Sequence, residues 1–133
     1  MDLAKIKEVQ TSEYELLHPT DRTKLGVIFT LAGPEHPTRR NLTTSWARDL
    51  RKRVNRTGKV TLDDPETDYE RETDFLVGCV LGWRGLTMDG AEVPYNAEAA
   101  RRIFTDHDYA WLRRQVQEAL NQTELFISSS SGV

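Results

Sequence analysis

The stretch Phe75-Leu76-Val77-Gly78-Cys79-Val80-Leu81 decides the fold, because it is the longest apolar run in the chain. Tyr69 and Thr73 continue its apolar side upstream at helical spacing, and acidic residues crowd the preceding turns, where they complement a helix dipole. We predict a helix over 68–82 whose second half is the most buried element. The run falls far short of the roughly 20 residues needed to cross a bilayer. Cys79, inside it, is expected to be an inert, buried thiol.

A β-hairpin is predicted ahead of this helix, over residues 14–31. Apolar residues alternate with others over 25–31, which indicates a strand, and Pro19-Thr20-Asp21 begins the turn that separates it from a first strand over 14–18. An isolated hairpin is only marginally stable in water. One of its faces must therefore pack on the helices that follow, or its edge must pair with another chain. Residues 1–12 are predicted to form a flexible segment.

Three further helices are predicted around the apolar run. Their approximate ranges are 38–56, 96–105 and 108–124. The first carries an apolar stripe, because its large apolar residues recur every four positions. The stripe consists of Leu42, Trp46, Leu50 and Val54. Thr38 or Asn41 is expected to cap the helix over 38–56, and Asn96 is expected to cap the helix over 96–105. In the helix over 108–124, Arg113 is expected to lie on the solvent side.

The predicted fold is α+β, mainly α, with an N-terminal β-hairpin packed on a bundle of about four helices. A chain of 133 residues, 38% of them apolar, is long enough to bury a core without a metal or a disulfide. We expect a single domain over 13–127 and a flexible Ser-rich tail over 128–133. The lone cysteine cannot form an internal disulfide, which fits a cytosolic protein.

Catalytic and metal-binding patterns are missing from the sequence. His18, His36 and His107 all fall in predicted turns, without a cysteine or histidine at ligand spacing. The acidic cluster that begins at Asp63 lacks the glycine and the closing glutamate of a calcium loop. No glycine-rich phosphate loop is present. We therefore predict a protein that is not an enzyme and that uses no metal or other cofactor.

The charges are strongly segregated along the chain, although the net charge is only −3. Residues 39–59, which begin with Arg39 and end with Lys59, contain eight basic residues and one acidic residue. Residues 60–74 contain seven acidic residues and one arginine. Such segments can neutralise each other within one molecule, or they can join neighbouring copies head to tail. The candidate self-association residues are Arg48, Arg51, Lys52, Arg56, Asp64, Glu66, Asp68 and Glu70.

The basic helix also supports an alternative function, a small nucleic-acid-binding regulatory domain in which residues 39–59 track phosphates. Two observations oppose it. The overall charge is acidic, and Trp46 lies on the apolar stripe instead of among the basic side chains. Nucleic acid is therefore the less favoured partner.

A constellation in the second half of the chain carries a family resemblance. Its parts are Val80-Leu81-Gly82-Trp83-Arg84-Gly85-Leu86, then Asp89-Gly90, and then Val93-Pro94-Tyr95-Asn96. This order resembles the tail assembly chaperones of long-tailed, siphovirus-type bacteriophages in their short form. Leu16-Leu17-His18-Pro19 extends the resemblance upstream, so that it covers roughly residues 13–126. Trp83 is expected to close the core at a helix end, Gly85 and Gly90 to allow bends, and Pro94 to direct the chain to the Asn96 cap.

The resemblance implies a non-catalytic assembly factor that acts in the host cell cytoplasm and is absent from the mature virion. Such a protein binds and solubilises the tape measure protein and helps recruit tail tube protein, in many phages through a frameshifted long form. The run Ser128-Ser129-Ser130-Ser131 is a plausible neighbourhood for that junction. The resemblance also implies a homo-oligomer, as a ring or spiral. The short apolar run, on the other hand, predicts no membrane partner.

Exposed apolar residues near both ends are the candidates for client binding. They are Leu3, Ile6, Val9, Leu125, Phe126 and Ile127. A helical client would be held by apolar side chains in a groove. The alternative for Phe126 is a purely structural one, in which it anchors the last helix to the core.

Overall fold

A three-stranded antiparallel sheet lies at the centre of the protein, in a computed structural model that describes residues 2–58 and 65–129. Its strands are β2 (Thr11–Leu17), β3 (Lys24–Ala32) and β4 (Val80–Arg84), in the order β2-β3-β4. Phe29 at its middle pairs with Tyr14 on one side and with Trp83 on the other. The expected hairpin is present, and it has gained a third strand.

Four α-helices and three short 3₁₀ helices accompany the sheet in the described ranges. The α-helices are α1 (Pro37–Thr57), α2 (Pro65–Cys79), α3 (Ala97–Thr105) and α4 (Ala110–Leu120), and the 3₁₀ helices are Leu3–Lys5, His107–Tyr109 and Thr123–Phe126. The prediction of a mixed, mainly helical fold is confirmed. Within residues 2–58 and 65–129, no helix has both the length and the hydropathy that a membrane span requires.

Two small ribbons complete the strands. One joins β5 (Thr87–Met88) to β6 (Ala91–Glu92), with Asp89 and Gly90 as the two-residue turn. Both turn residues have positive φ, 52° and 80°, as the expected Asp-Gly tight turn requires. The other joins β1 (Ile6–Glu8) to β7 (Ile127–Ser129).

The β1–β7 ribbon differs from the flexible ends expected over 1–12 and 128–133. Ile6–Glu8 pairs in register with Ile127–Ser129, and Val9 N donates a hydrogen bond of 2.8 Å to Phe126 O. The two segments lie far apart in the sequence, so their backbone groups find partners that local sequence patterns do not reveal. Met1 and residues 130–133 lie outside the described part of the chain.

The helix predicted over 68–82 is the main correction. It begins earlier, at Pro65, and it ends at Cys79, where the chain enters β4. An apolar run of this length fits a buried helix or a buried strand equally well. The free edge of β3 decides between them, because Val80 and Trp83 lie opposite Leu31 and Phe29 and their backbone groups hydrogen-bond across this edge.

The last predicted helix, 108–124, is also shorter than expected. It ends at Leu120, and Thr123–Phe126 turns back so that the Phe126 ring enters the core with 1% of its surface exposed. Gly33 makes room for it, because a β-carbon there would lie 2.9 Å from the Phe126 ring and 2.8 Å from Val9 O. Gly33 does not have a positive φ, so it is the close approach of Phe126 and Val9 that requires glycine at this position.

Arg113 is buried, which corrects its expected place on the solvent side of the last helix. The residue is 6% exposed, and its Nη1 donates hydrogen bonds of 2.8 Å to the Thr73 hydroxyl and 3.1 Å to Phe104 O. Glu72 approaches Nη2 at 3.7 Å, and the guanidinium lies 4.1 Å from the centroid of the Tyr69 ring. The charge is therefore tolerated in the core because its donors are matched on several sides.

Gln115 of α4 occupies the outer edge of β2. Its Nε2 donates a hydrogen bond of 2.7 Å to Leu17 O, and its Oε1 accepts one of 3.0 Å from Leu17 N. Oε1 also accepts a hydrogen bond of 3.3 Å from the Tyr14 hydroxyl. A side-chain amide thus pairs with both backbone groups of an edge residue, in the way that a neighbouring strand would.

Candidate functional site

Helix α1 exposes much of its apolar stripe. Leu42, Leu50 and Val54 are half-buried and Trp46 is 43% exposed, and no side chain from position 37 to position 56 is buried. A stripe at this spacing normally packs against the protein core. Here it is only partly covered, so α1 presents an apolar surface that the rest of the described chain leaves open.

The start of α1 is firmly attached to the protein. His36, and not Thr38 or Asn41, is the cap: its Nδ1 accepts a hydrogen bond from Thr38 N, and Pro37 takes the first helical position. Arg39 donates hydrogen bonds of 3.0 Å to Ala32 O and 3.0 Å to Leu120 O. Its guanidinium also lies between the Phe75 and Phe126 rings, 5.5 and 5.7 Å from their centroids. Arg39 therefore fastens α1 to the core and is not part of its outer basic surface.

An open groove of about 1010 Å³ runs between α1, α2 and the end of α4. We call it the α1–α2 groove. Its apolar lining residues are Leu42, Trp46, Phe75, Leu76 and Leu120. Helices α1 and α2 approach each other closely at Gly78. A β-carbon at this position would lie 2.5 Å from Leu42 Cδ1.

Acidic side chains predominate on the walls of the α1–α2 groove. The charged lining residues are Asp49, Asp68, Glu70, Arg71, Glu72 and Asp74. Three of the five carboxylates have cationic partners: Asp68 contacts Arg71 at 3.2 Å, Glu72 contacts Arg113 at 3.7 Å, and Asp74 contacts Arg101 at 2.6 Å. Asp49 on α1 and Glu70 on α2 form no ion pair within the described residues. The groove thus combines an apolar floor with one carboxylate on each of two walls that has no ion-pair partner among residues 2–58 and 65–129.

The structure keeps the predicted self-association residues apart. Arg48, Arg51, Lys52 and Arg56 are exposed, as are Glu66, Asp68 and Glu70. Within residues 2–58 and 65–129, no ion pair joins the basic set to the acidic set; Asp68 pairs instead with Arg71. Asp64 and Lys59 lie outside these ranges. The four basic residues of α1 are thus exposed and have no ion-pair partner among the described acidic residues.

The six client-binding candidates fall into two groups. Leu3 is 76% and Ile6 43% exposed, and Ile127 is half-buried beside them in the β1–β7 ribbon. Val9 and Leu125 are half-buried against the core, and Phe126 is buried within it. The structural alternative therefore applies to Phe126, and the exposed apolar surface at this end of the molecule consists chiefly of Leu3 and Ile6.

The motif around Trp83 forms one connected unit, although not at a helix end as expected. Trp83 lies in β4, where its ring packs 5.6 Å from that of Phe29 and edge-on to that of Tyr95 at 5.0 Å. Trp83 Nε1 donates a hydrogen bond of 2.8 Å to Val93 O, and the Tyr95 hydroxyl donates one of 2.6 Å to Val80 O. These contacts hold the segment 86–95, which contains the exposed Pro94, against β4.

Downstream of that unit, Asn96 Oδ1 accepts a hydrogen bond of 2.7 Å from Ala99 N, so the expected cap of α3 is present. Gly85, at φ +79°, passes so close to Gly26 O that a β-carbon would collide with it. The motif residues Trp83, Gly85, Asp89, Gly90, Pro94 and Asn96 therefore shape the backbone and the packing, and none of them lines the α1–α2 groove.

The groups that could carry covalent or metal chemistry are few in the described part of the chain. No cluster of three or more His, Cys, Asp and Glu side chains suited to a metal ion occurs there. Cys79 has no exposed surface, and burial raises the pKa of its thiol to about 11. A thiol held in its neutral form is a poor nucleophile at neutral pH.

Comparison of the chain with family models, with curated proteins and with solved structures gives no match. Function is therefore inferred from the surfaces described above and from the sequence constellation.

Proposed function

We propose that this protein is a non-catalytic tail assembly chaperone of a long-tailed bacteriophage, in the short form, that binds a helical tape measure protein and keeps it soluble. On this proposal it acts as an oligomer in the host cell cytoplasm, helps recruit tail tube protein, and does not remain in the mature virion. The order of motif residues over 13–126 supports this family by resemblance.

The partly uncovered apolar stripe of α1 is the observation that carries the proposal. A protein that holds a helical client needs apolar side chains in an open groove, and large apolar residues are seldom left exposed together without a partner. Trp46 is the most exposed residue of the stripe and contributes a large contact area. It lies beside an open space and not in a closed catalytic cavity, which favours client binding over catalysis.

Co-expression with a helical fragment of a tape measure protein tests the proposal. We expect the wild-type chain to move the fragment from the insoluble to the soluble fraction and to co-purify with it. Trp46→Ala should reduce the co-purified fragment severalfold. Leu25→Ala, at another exposed apolar position on β3, is the matched control and should leave it unchanged. No solubilisation by the wild-type chain would contradict the proposal.

The same assay separates the two client-binding surfaces. Leu3→Ala combined with Ile6→Ala removes the exposed apolar groups of the N-terminal end without removing Thr11 or Ser12, which belong to β2. If the fragment no longer co-purifies with this variant but still co-purifies with Trp46→Ala, the client binds at the β1–β7 ribbon and not along α1.

Self-association is proposed to use the exposed basic face of α1. Arg48, Arg51, Lys52 and Arg56 of one copy would contact Glu66, Asp68 and Glu70 of the next, a heterologous contact that produces rings or spirals. Sedimentation velocity should show oligomers that dissociate as salt is raised, because salt screens exposed charges. Arg51→Glu with Arg56→Glu should give monomers. An unchanged oligomer in both tests would rule out this interface.

The nucleic-acid alternative is kept, because the same four basic side chains form no ion pair in the described ranges. If this function is correct, a labelled duplex should bind with an affinity that falls steeply with salt, with a slope set by the number of phosphate contacts. Arg48→Ala with Lys52→Ala should make that slope shallower. The chaperone proposal expects no measurable binding at physiological salt.

A further inference from the structure

We propose that the α1–α2 groove binds an amphipathic helix whose apolar face is flanked by lysine or arginine side chains. This inference rests on the proposed chaperone function, since it names the chemistry of the client segment. It concerns the groove itself and can be tested without the natural client.

The floor of the groove determines the apolar face of the partner. Leu42 and Trp46 come from α1, Phe75 and Leu76 from α2, and Leu120 from the end of α4. Three helices thus supply one apolar surface, and the Trp46 ring remains 43% exposed upon it. Leu76 and Leu120 are themselves buried, so the accessible apolar surface of the floor comes chiefly from Leu42, Trp46 and Phe75. An apolar surface in an open groove is what the i, i+3, i+4 and i+7 positions of a helix pack against.

The walls determine the charge of the flanks. Arg71 is the single cation among the six charged lining residues that the structure describes, and it lies 5.4 Å from the centroid of the Trp46 ring. Asp49 lies on the α1 wall and Glu70 on the α2 wall. Neither carboxylate forms an ion pair with any residue in the ranges 2–58 and 65–129. A helix with basic residues beside its apolar face would pair with both carboxylates, whereas acidic flanks would be repelled.

The length of the groove sets the length of the bound segment. The lining residues of α2 extend from position 67 to position 76, which corresponds to about 14 Å at the rise of an α-helix. The bound segment would therefore contribute between two and three turns. A long helical client could present several such segments in succession to several copies of the chaperone.

A second copy of this chain fits the groove less well. Its basic α1 face would satisfy the carboxylates, but that face carries arginine, lysine and small polar residues and offers no large apolar side chain to the floor. The apolar residues of α1 already face the groove of their own molecule. The complementary partner is therefore a helix that carries both features at once.

Peptide binding tests the inference directly. The probe is a fluorescent helix-forming peptide of about 18 residues, built from alanine with one leucine face flanked by lysines. One control peptide replaces the lysines by glutamates, and another scrambles the order so that no apolar face forms. Fluorescence anisotropy with the full chain should show binding of the lysine peptide, weakened by salt. The two controls should bind at least about tenfold more weakly.

Variants locate the binding site. Asp49→Lys with Glu70→Lys should weaken lysine-peptide binding by about tenfold or more and improve binding of the glutamate peptide. Trp46→Ala should weaken binding of both the lysine peptide and the glutamate peptide. The matched control, Glu8→Lys with Glu92→Lys, reverses two exposed charges on β1 and β6 and should change affinity by less than about twofold. Circular dichroism should show the same helix content in every variant.

The outcomes distinguish the inference from the proposed function. Equal binding of the lysine and glutamate peptides, or full affinity in Asp49→Lys with Glu70→Lys, overturns the groove chemistry even if a tape measure fragment is solubilised. Conversion of an oligomer to monomers by Asp49→Lys alone, which changes a groove carboxylate outside the proposed self-association set, would show that a second copy fills the groove, and it too overturns the inference. Peptide binding with the expected charge preference supports the inference, and failure to solubilise the fragment would then contradict the chaperone function alone.

Discussion

Arg113 Nη1 lies 2.8 Å from the Thr73 hydroxyl in the interior of the protein, and this contact joins α4 to α2. The Thr73 hydroxyl in turn donates a hydrogen bond of 2.8 Å to Tyr69 O, one turn earlier in α2. Phe104 O accepts from the same Nη1 and connects the end of α3. One buried cation therefore fixes three helices relative to one another.

Replacing this cation should destabilise the protein strongly. Arg113→Ala leaves Phe104 O without its arginine donor and opens a cavity beside Thr73, at an expected cost of about 3 kcal/mol in the free energy of unfolding. Arg114→Ala, at the exposed neighbouring position, should cost less than about 0.5 kcal/mol. Urea denaturation measures both. Equal values for the two variants would show that the buried contacts contribute nothing.

The attachment of α1 should depend on Arg39 and not on Arg40. Arg39→Ala removes hydrogen bonds to Ala32 O and Leu120 O and the contacts with two aromatic rings, and should cost about 2 kcal/mol. Arg40 is exposed, with Glu35 at 3.8 Å, and Arg40→Ala should cost less than about 0.5 kcal/mol. Thermal unfolding of the pair is the measurement. A larger loss for Arg40→Ala would contradict the attachment described above.

Two glycines with the same backbone conformation should respond differently to substitution. Gly85 and Gly90 have φ of 79° and 80°, so alanine at either position is strained by about 1 kcal/mol. At Gly90 the added β-carbon meets open space, whereas at Gly85 it collides with Gly26 O. Gly85→Ala should therefore cost at least about 3 kcal/mol. Similar unfolding midpoints for the two variants would show that β4 can move away from β3 easily.

Acid should weaken the link between the outer strands of the sheet. Arg84 on β4 donates hydrogen bonds of 2.8 and 3.2 Å to Glu13 on β2, and these bonds, with the positive charge of Arg84, hold the pKa of the Glu13 carboxyl below its ordinary value of 4.5. A carboxyl with a lowered pKa in the folded state stabilises the fold fully above its unfolded pKa. This contribution is lost as the pH falls from 4.5 through the folded pKa.

Glu13→Gln removes that pH dependence. The variant should be less stable than the wild type at pH 7, and the difference should shrink toward zero as the pH falls below 4.5. Urea midpoints across this pH interval provide the measurement. Glu124→Gln, at an exposed carboxylate without an ion pair within the described residues, is the control and should have nearly the urea midpoint of the wild type at pH 7. A constant difference between Glu13→Gln and the wild type would contradict the Arg84 contact.

Cys79 should resist thiol reagents while the protein is folded. Its thiol pKa of about 11 exceeds the ordinary value of 9.0, so very little thiolate exists at pH 8, and no surface of the side chain is exposed. Reaction with a disulfide reagent should be at least about a hundredfold slower in buffer than in urea. Because the folded pKa is the higher one, stability should also decline as the pH rises from 9 toward 11. Rapid labelling in buffer would place the thiol at the surface.

Features that depend on neighbouring residues could be predicted from the sequence. The Asp89-Gly90 turn and the Asn96 cap follow from local backbone preferences and short-range hydrogen bonds. The hairpin followed from its alternating pattern. The cap at His36 was missed because histidine is an uncommon cap, although Pro37 marks the first helical position.

Features that depend on distant partners could not be predicted in this way. Val80 enters a strand and not a helix because the edge of β3 lies nearby in space. Arg113 is buried because carbonyl groups from α2 and α3 meet its donors, and no spacing within α4 reveals them. The α1–α2 groove arises in the same manner, since its floor combines Trp46 with Phe75 and Leu120 from three helices.

The amide of Gln115 also bears on aggregation. An unpaired strand edge invites other chains to add strands, and this is a common route to fibrils. At Leu17 both backbone groups are already bonded to a side chain that cannot extend into a further strand. We propose that this protein prevents the aggregation of an insoluble client, and Gln115 prevents strand addition at part of the protein's own sheet edge.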